Sequence, residues 1–386
     1  MKRILYYTLV LFSVLFSNNI AASTSSIYGR VIDKETGDPI SNANIYLANT
    51  TIGTTTNTKG YFEIKEVPKG TFDIIFSHVA YYFHKERLQI KQYYIDVGTI
   101  ELMTKAYQLP TVIVEDEESI WKDQYDKFIK EFIGDGNNSD STRIVDPYNI
   151  NFWEKDDKLF ASCIDPIEII NKSLGYKIKY FLDYFESSSS FTKYSGNSVF
   201  TPLISNLKTD STKWAVNRDE TYLGSFRHFL TILNNGYTKF LSNFSGKAAP
   251  KKLRVAEADS LLNINGFFIY QVKELPWENP FPFAEVPISM QKLLSPGEIE
   301  SERCLKFSNY LKVYYIPEYK ENKYPINYKI KYISNVQSSY LELEQDSVMV
   351  DIYGRYYDKF GIHTYGKFAQ ERISDLLPYE YTFSND

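Results

Sequence analysis

GRVIDKETGDPI (Gly29–Ile40) and GYFEIKEVPKGTFDIIF (Gly60–Phe76) decide the fold of the N-terminal part of this chain. In the first, Gly29, Val31 and Asp33 share one parity with Ile27, as in a strand with one buried face. Lys34 to Pro39 then supplies a turn, because Gly37 tolerates positive φ and Pro39 fixes its own. In the second, Phe62 and Ile64 face one way, Pro68-Lys69-Gly70 turns the chain, and Phe72, Ile74 and Phe76 resume the alternation. Working outward, Ala43, Ile45 and Leu47 read as another strand, and Gly53 to Asn57 leads into a polar turn closed by Gly60. Val97 to Leu102 and Val112 to Val114 complete about seven short strands at regular spacing, the pattern of an antiparallel sandwich.

The same residues carry a resemblance. Gly29-x-Val31-x-Asp33, Thr36-Gly37-x-Pro39-Ile40, Ala43-x-Ile45, Gly53-Thr54-x-Thr56-Asn57, Gly60-x-Phe62-x-Ile64 and Pro68-x-Gly70-x-Phe72 stand in the order of the carboxypeptidase-like regulatory domain. Gly98-x-Ile100-x-Leu102 and Leu109-Pro110-Thr111-Val112-x-Val114 look like its last strands. The resemblance implies a transthyretin-like (prealbumin-like) fold. In Bacteroidetes this domain often precedes the plug of TonB-dependent outer-membrane receptors. One departure is Ala80 before Tyr81, where the family usually has Gly, so a changed backbone is expected at that turn. The domain is an accessory module and implies no catalytic residues. A zinc carboxypeptidase would need His-x-x-Glu, and none of His78, His84, His228 and His363 has an acid three residues on. A receptor barrel would need far more chain than follows Val114.

The N-terminus reads as a secretory signal: Lys2 and Arg3, then the apolar run Ile4 to Phe16, then Ala21 and Ala22 before a cleavage site. Residues 1–22 are expected to be removed, and no cysteine precedes Cys163, so the protein is not expected to be a lipoprotein. No later segment approaches the ~20 apolar residues of a membrane-spanning helix. A net charge of −5 without a basic stripe argues against nucleic acid as partner. Cys163 and Cys304 are the two cysteines; export would permit a disulfide between them, and the alternative is two thiols packed in strands.

Beyond residues 23–114, the acidic run Glu115–Glu118 reads as a linker that also favours the start of a helix, and residues 119–386 as a β-rich α+β domain with two helical segments. Trp121, Tyr125, Phe128 and Phe132 form one face of the first, which Gly134 and Gly136 end. Lys213 to Leu233 forms the second, interrupted at Gly224-Ser225, with Ser225 a cap and Gly236 a stop. Between them Tyr148 to Cys163 reads as a strand pair, Asp165 to Gly175 as a turn-rich link, and Tyr176 to Phe200 as a hairpin. Strands are expected at Phe267–Val272, Leu305–Tyr315, Tyr328–Ile333, Ser339–Leu343 and Ser347–Tyr353, with Tyr357–Phe368 and Ile373–Tyr381 last. Asp135, Asp140 and Asp146 lack the EF-hand order, and no metal site or cofactor is expected. Asn171-x-x-Leu174-Gly175-Tyr176, Trp214-x-x-Asn217-Arg218, Tyr222-x-Gly224-Ser225-x-x-His228-Phe229 and Leu376-Leu377-Pro378-x-x-Tyr381 resemble a set of exported Bacteroidetes proteins, a resemblance that implies no activity.

Two functions are compatible with this pattern. The first is an exported, non-enzymatic interaction protein of the cell envelope, in the periplasm or at the outer membrane. Its sandwich would be a docking or spacer module, and its second domain, in a chain with 33 tyrosines, would meet a protein or glycan partner. The alternative is a hydrolase of envelope polymer or peptide, with His228, Asp219 and Glu220 as acid/base candidates. No Ser or Cys elbow accompanies His228, so a packed structural histidine is the simpler reading.

Overall fold

Strand β1 (Ser25–Asp33) buries Ile27, Gly29, Val31 and Asp33 and turns the intervening residues outward, as its alternation predicts. The computed structural model describes residues 24–105, 115–244, 263–264, 266–278, 285–288, 290–317 and 336–383. The chain divides into two compact units, one of residues up to Ile45 with Ile52–Thr104, the other of Tyr46–Thr51 with Lys105 onward. The expected signal segment and the strands at Val112–Val114 and Tyr328–Ile333 lie outside the described residues.

The N-terminal sandwich continues with β2 (Asn44–Leu47), β3 (Gly53–Thr55), β4 (Tyr61–Val67), β5 (Gly70–His78), β6 (Tyr81–Ile90) and β7 (Tyr94–Leu102). One sheet has the order β4-β1-β7 and the other β3-β2-β5-β6. Phe62 from the first sheet meets Phe76 from the second at 5.7 Å, edge to face, within a core that includes Ile27, Ile45, Ile64 and Ile74. The sandwich is mixed rather than wholly antiparallel, because β1 pairs β7 in parallel. Asp33 ties the end of β1 in place. Its Oδ1 accepts from the Glu35 and Thr36 amides and its Oδ2 from the Tyr81 hydroxyl (2.9 Å) and Thr104 (3.3 Å). These bonds hold its carboxyl below the usual aspartate range. Ala80 has no positive φ; its amide donates to His78 Nδ1 instead.

The second unit opens with α1 (Glu115–Phe132), so the acidic run read as a linker is the first turn of the helix. Gly134 ends it with φ +91, and a Cβ there would meet Arg372 at 2.8 Å. Phe128 and Phe132 are fully buried against a six-stranded antiparallel sheet of β8 (Thr142–Ile144), β9 (Ile150–Lys155), β10 (Lys158–Cys163), β11 (Ile167–Asn171), β12 (Tyr176–Ser187) and β13 (Thr192–Pro202). Phe128 packs on Phe152 and Phe185, Phe132 on Tyr180 and Tyr194, and Trp121 donates from Nε1 to Ile150 O. The expected link from Asp165 is in fact strand β11. Asp156 and Asp157, both with positive φ, close the β9–β10 hairpin in the way a two-residue turn demands.

Helices α2 (Lys208–Tyr222) and α3 (Phe226–Phe244) are separated at Gly224, whose φ is +77. Ser225 caps α3, its Oγ accepting from the His228 amide at 3.0 Å. Gly236 does not stop the helix. It lies within α3. Phe229, Leu230 and Leu233 pack on a second antiparallel sheet. That sheet has the order β14 (Asn263–Ile264), β15 (Phe267–Val272), β19 (Tyr310–Tyr315), β20 (Gln337–Leu343) and β22 (Ile362–Gly366), with β16 (Val286–Pro287) on β15. A smaller sheet holds β17 (Leu294–Pro296), β18 (Glu302–Leu305) and β21 (Val348–Asp351). The single strand expected over Leu305–Tyr315 is therefore two, with Asn309 at φ +56 between them, and Ile373–Tyr381 holds a 3-10 turn in place of a strand. Cys163 on β10 and Cys304 on β18 belong to different sheets and are free thiols, not a disulfide.

Candidate functional site

The sheet built on β15, β19, β20 and β22 sends alternate side chains to opposite faces. Phe267, Ile269, Leu311, Val313 and Leu341 go inward to meet α3. The other parity carries Tyr270, Lys312, Tyr340 and Tyr365, and the register places these four side by side across the strands. Trp277, which follows β15, lays its ring against Tyr340 (5.8 Å) and Tyr365 (5.6 Å) while remaining 61% exposed. Two ring neighbours thus orient an indole that still faces solvent.

Polar partners fix the row. Lys312 Nζ lies over the rings of Tyr314 (4.6 Å) and Tyr340 (5.3 Å) and donates to Glu285 Oε1, which also accepts from the Tyr314 hydroxyl. Burial alone would lower the Lys312 pKa, but hydrogen bonds with Tyr314, Glu285 and Tyr340 outweigh it and leave it raised. Tyr365 donates to Glu342 at 2.8 Å. Tyr340 is buried in a small cluster with Val272 and Leu275, so the rings left partly open to solvent are those of Trp277, Tyr270 and Tyr365. Those rings suit stacking on a polyhydroxylated ligand.

Trp277 and Tyr365 also line a cavity of about 660 Å³. Phe191 and Lys193 from the β12–β13 hairpin, Lys359 with Phe360, and Glu371 with Arg372 supply further wall. The ladder between β12 and β13 shifts register between Leu182 and Tyr184, and Asp183 at that irregularity pairs with Lys359. Glu131 Oε2 accepts from Thr192 at 2.7 Å and lies 3.9 Å from Arg372, which holds the hairpin end beside the Arg372 segment. Glu371 Oε1 accepts from the Phe226 amide at 2.7 Å. Its carboxyl is enclosed although part of the residue reaches the cavity, and burial raises it to about 8, with Asp375 adding to the shift against Phe226 N–H and Lys367.

The acid/base candidates read from sequence do not form this site. His228 is 2% exposed, enclosed by Tyr222, Phe267 and Tyr315, with Nδ1 accepting from the Gly224 amide at 3.0 Å. Burial brings its pKa down to about 4. Asp219 accepts from the Tyr381 hydroxyl, and Glu220 is exposed on α2. No hydrogen bond or ion pair joins the three among the described residues. Burial pushes the Cys163 thiol up to about 11. Among the described residues no group of three or more His, Cys, Asp and Glu is placed to hold a metal. Sequence reasoning missed this site: Tyr310, Lys312 and Tyr314 alternate along one strand, but Trp277, Tyr365 and Glu371 come together only in the folded chain.

Residues 27–114 match the family model of the CarboxypepD_reg-like domain. A comparison with curated proteins finds no match. Among solved structures the chain is similar to a type II cohesin–X-dockerin complex from Acetivibrio cellulolyticus, at 20% identity over 23% of this chain and 62% of that one, with a TM-score of 0.20. It is similar to the pilus 2b backbone protein of group B streptococcus, at 12% identity over 22% of this chain and 42% of that one, with a TM-score of 0.19. It is also similar to a DUF3823 family protein from Parabacteroides merdae, at 11% identity over 46% of this chain and 78% of that one, with a TM-score of 0.16. The chain covers less than two thirds of the cohesin–X-dockerin and pilus chains. At these TM-scores no functional reading rests on the likenesses.

Proposed function

We propose that this is an exported, non-enzymatic binding protein of the cell envelope, whose second unit holds a glycan and whose N-terminal sandwich is a docking or spacer module. The observation that carries the reading is the in-register row Tyr270, Lys312, Tyr340 and Tyr365 with exposed Trp277 at its end, continuing into a 660 Å³ cavity. Large rings held rigidly by their neighbours bind sugar faces at little entropic cost. The signal-like N-terminus supports export, and a mature N-terminus near Ser23 is expected from sequencing of envelope protein; an intact Met1 on cytoplasmic protein would end that part of the proposal.

The binding claim is tested by affinity electrophoresis through a panel of envelope and extracellular polysaccharides. Trp277→Ala should weaken retention about tenfold, ~1.4 kcal/mol, with an unchanged melting temperature. Equal retention of the wild type and Trp277→Ala, or none of either, would remove the glycan reading.

A further inference from the structure

We infer that the saccharide on the Trp277 face carries a free amine, as in an N-unsubstituted hexosamine, and that Glu342 and Glu278 receive its ammonium. This rests on the glycan reading and narrows it. One step along the strands from Lys312, Tyr340 and Tyr365, the register sets Tyr310, Glu342 and His363 side by side on the same outward face. Glu342 Oε2 accepts from the Tyr365 hydroxyl at 2.8 Å, so its carboxylate stands at the edge of a ring that also meets Trp277. Glu278 follows Trp277 in the chain. Its Oε2 accepts from the Leu275 amide at 2.9 Å and its Oε1 from the Tyr310 hydroxyl at 3.4 Å, and the Tyr310 ring meets that of Tyr365 at 6.4 Å. Burial raises the Tyr310 and Tyr365 phenols, and Glu342 and Glu278 both add to each shift, so the two carboxylates act on one spot.

The bases around this spot face other acids. Lys312, on the same face, is matched by Glu285. Of the cavity bases, Lys359 pairs with Asp183, Arg372 lies 3.9 Å from Glu131, and Lys193 acts on Glu344 and Glu186. His363, set opposite Glu342 by the register, turns its Nε2 to Glu344 instead. Among the described residues no lysine, arginine or histidine pairs with Glu278 or Glu342. A carboxylate can accept about four hydrogen bonds, and here only one or two are in place on each. An ammonium supplies donors and the missing positive charge together, in bonds stronger than those of a neutral hydroxyl. The exposed Trp277 ring and the partly exposed Tyr310 and Tyr365 rings attract the same charge through their faces. Two carboxylates fall short of the roughly six to eight oxygens that a calcium ion takes.

N-acetylation removes the charge of a hexosamine and leaves the ring in place, so it separates this inference from the broader reading. The full chain is titrated by calorimetry in mildly acidic buffer, which keeps the amine charged. The ligands are glucosamine and galactosamine oligomers, each alongside its N-acetylated form and the matching neutral oligosaccharide. At least one amine should bind, its N-acetylated form about tenfold more weakly, and only the amine should lose affinity as salt rises. Glu342→Gln keeps an acceptor for the Tyr365 hydroxyl and removes the charge. It should weaken binding of the amine about tenfold, with the N-acetylated form and the melting temperature unchanged. Glu278→Gln should act in the same direction. Equal binding of amine and N-acetylated form, binding of uncharged sugars alone, or undiminished binding of the amine to both variants overturns the inference while the glycan reading stands. Binding of no saccharide overturns both.

Discussion

His228 and Glu371 both meet the first turn of α3, one through its own place in that turn and the other by accepting the Phe226 amide. Both are pushed toward their neutral forms, which gives their linkage to stability opposite signs. The His228 pKa is depressed to about 4, so its contribution is complete above ~6.5 and is lost as pH falls toward 4. The Glu371 pKa is raised to about 8, so its contribution is complete below ~4.3 and is lost as pH rises through 8. We predict that melting temperature against pH declines on both sides of a middle range. Glu371→Gln, which keeps an acceptor for the Phe226 amide, should flatten the alkaline limb and raise Tm at pH 9 by roughly 2–4 °C per kcal/mol recovered. Between about pH 4.3 and 6.5 the two contributions oppose each other, so the substitution should also uncover the full His228 decline on the acid side. An alkaline limb unaltered by this substitution would show that the carboxyl is ionised in the fold. Nearby, Arg227 shows the opposite solution to burial, its guanidinium donating to the carbonyls of Tyr353, Leu377, Pro378, Tyr379 and Tyr381 and so holding the C-terminal segment against α3.

At the scale of the element, the aromatic stripe of α1 is packed in the core of the second unit, and Phe128→Ala should cost ~3–5 kcal/mol in urea melts. Ile120→Ala on the same helix, 60% exposed, should change little. Similar losses at the two would mean that α1 presents another face. Elements of this kind were readable because burial on one side leaves a period in the sequence, as in β1, β4 and β5. Strand β6 was not, since residues from Tyr81 to Gln89 are partly exposed on both parities and leave no alternation. Gly236 misleads for another reason. A glycine inside a helix costs about 1 kcal/mol, which the packing of Phe229, Leu230 and Leu233 readily offsets. The site was legible only in fragments, because the meeting of Tyr270, Lys312, Tyr340 and Tyr365 depends on hydrogen-bonded register between distant segments, and no local pattern encodes that.

Across the whole molecule tyrosine serves two purposes. Burial pushes the Tyr356 phenol up to about 12 and raises those of Tyr180 and Tyr194 as well, so these remain neutral packing groups. The outer face of the second sheet uses the same residue type in both ways, with Tyr340 buried and Tyr270 and Tyr365 partly exposed. Its row of four side chains crosses three strand intervals, and adjacent strands lie ~4.8 Å apart, so the row is ~14 Å long. The sheet is therefore a ruler. Its graduations are set by backbone hydrogen bonding and cannot be stretched by a side-chain substitution. A saccharide laid along it should gain affinity with each added unit until that length is covered, and then gain no more. Calorimetry over a ladder of chain lengths would show the plateau, and affinity that was already maximal with a monosaccharide would mean that the cavity alone does the binding.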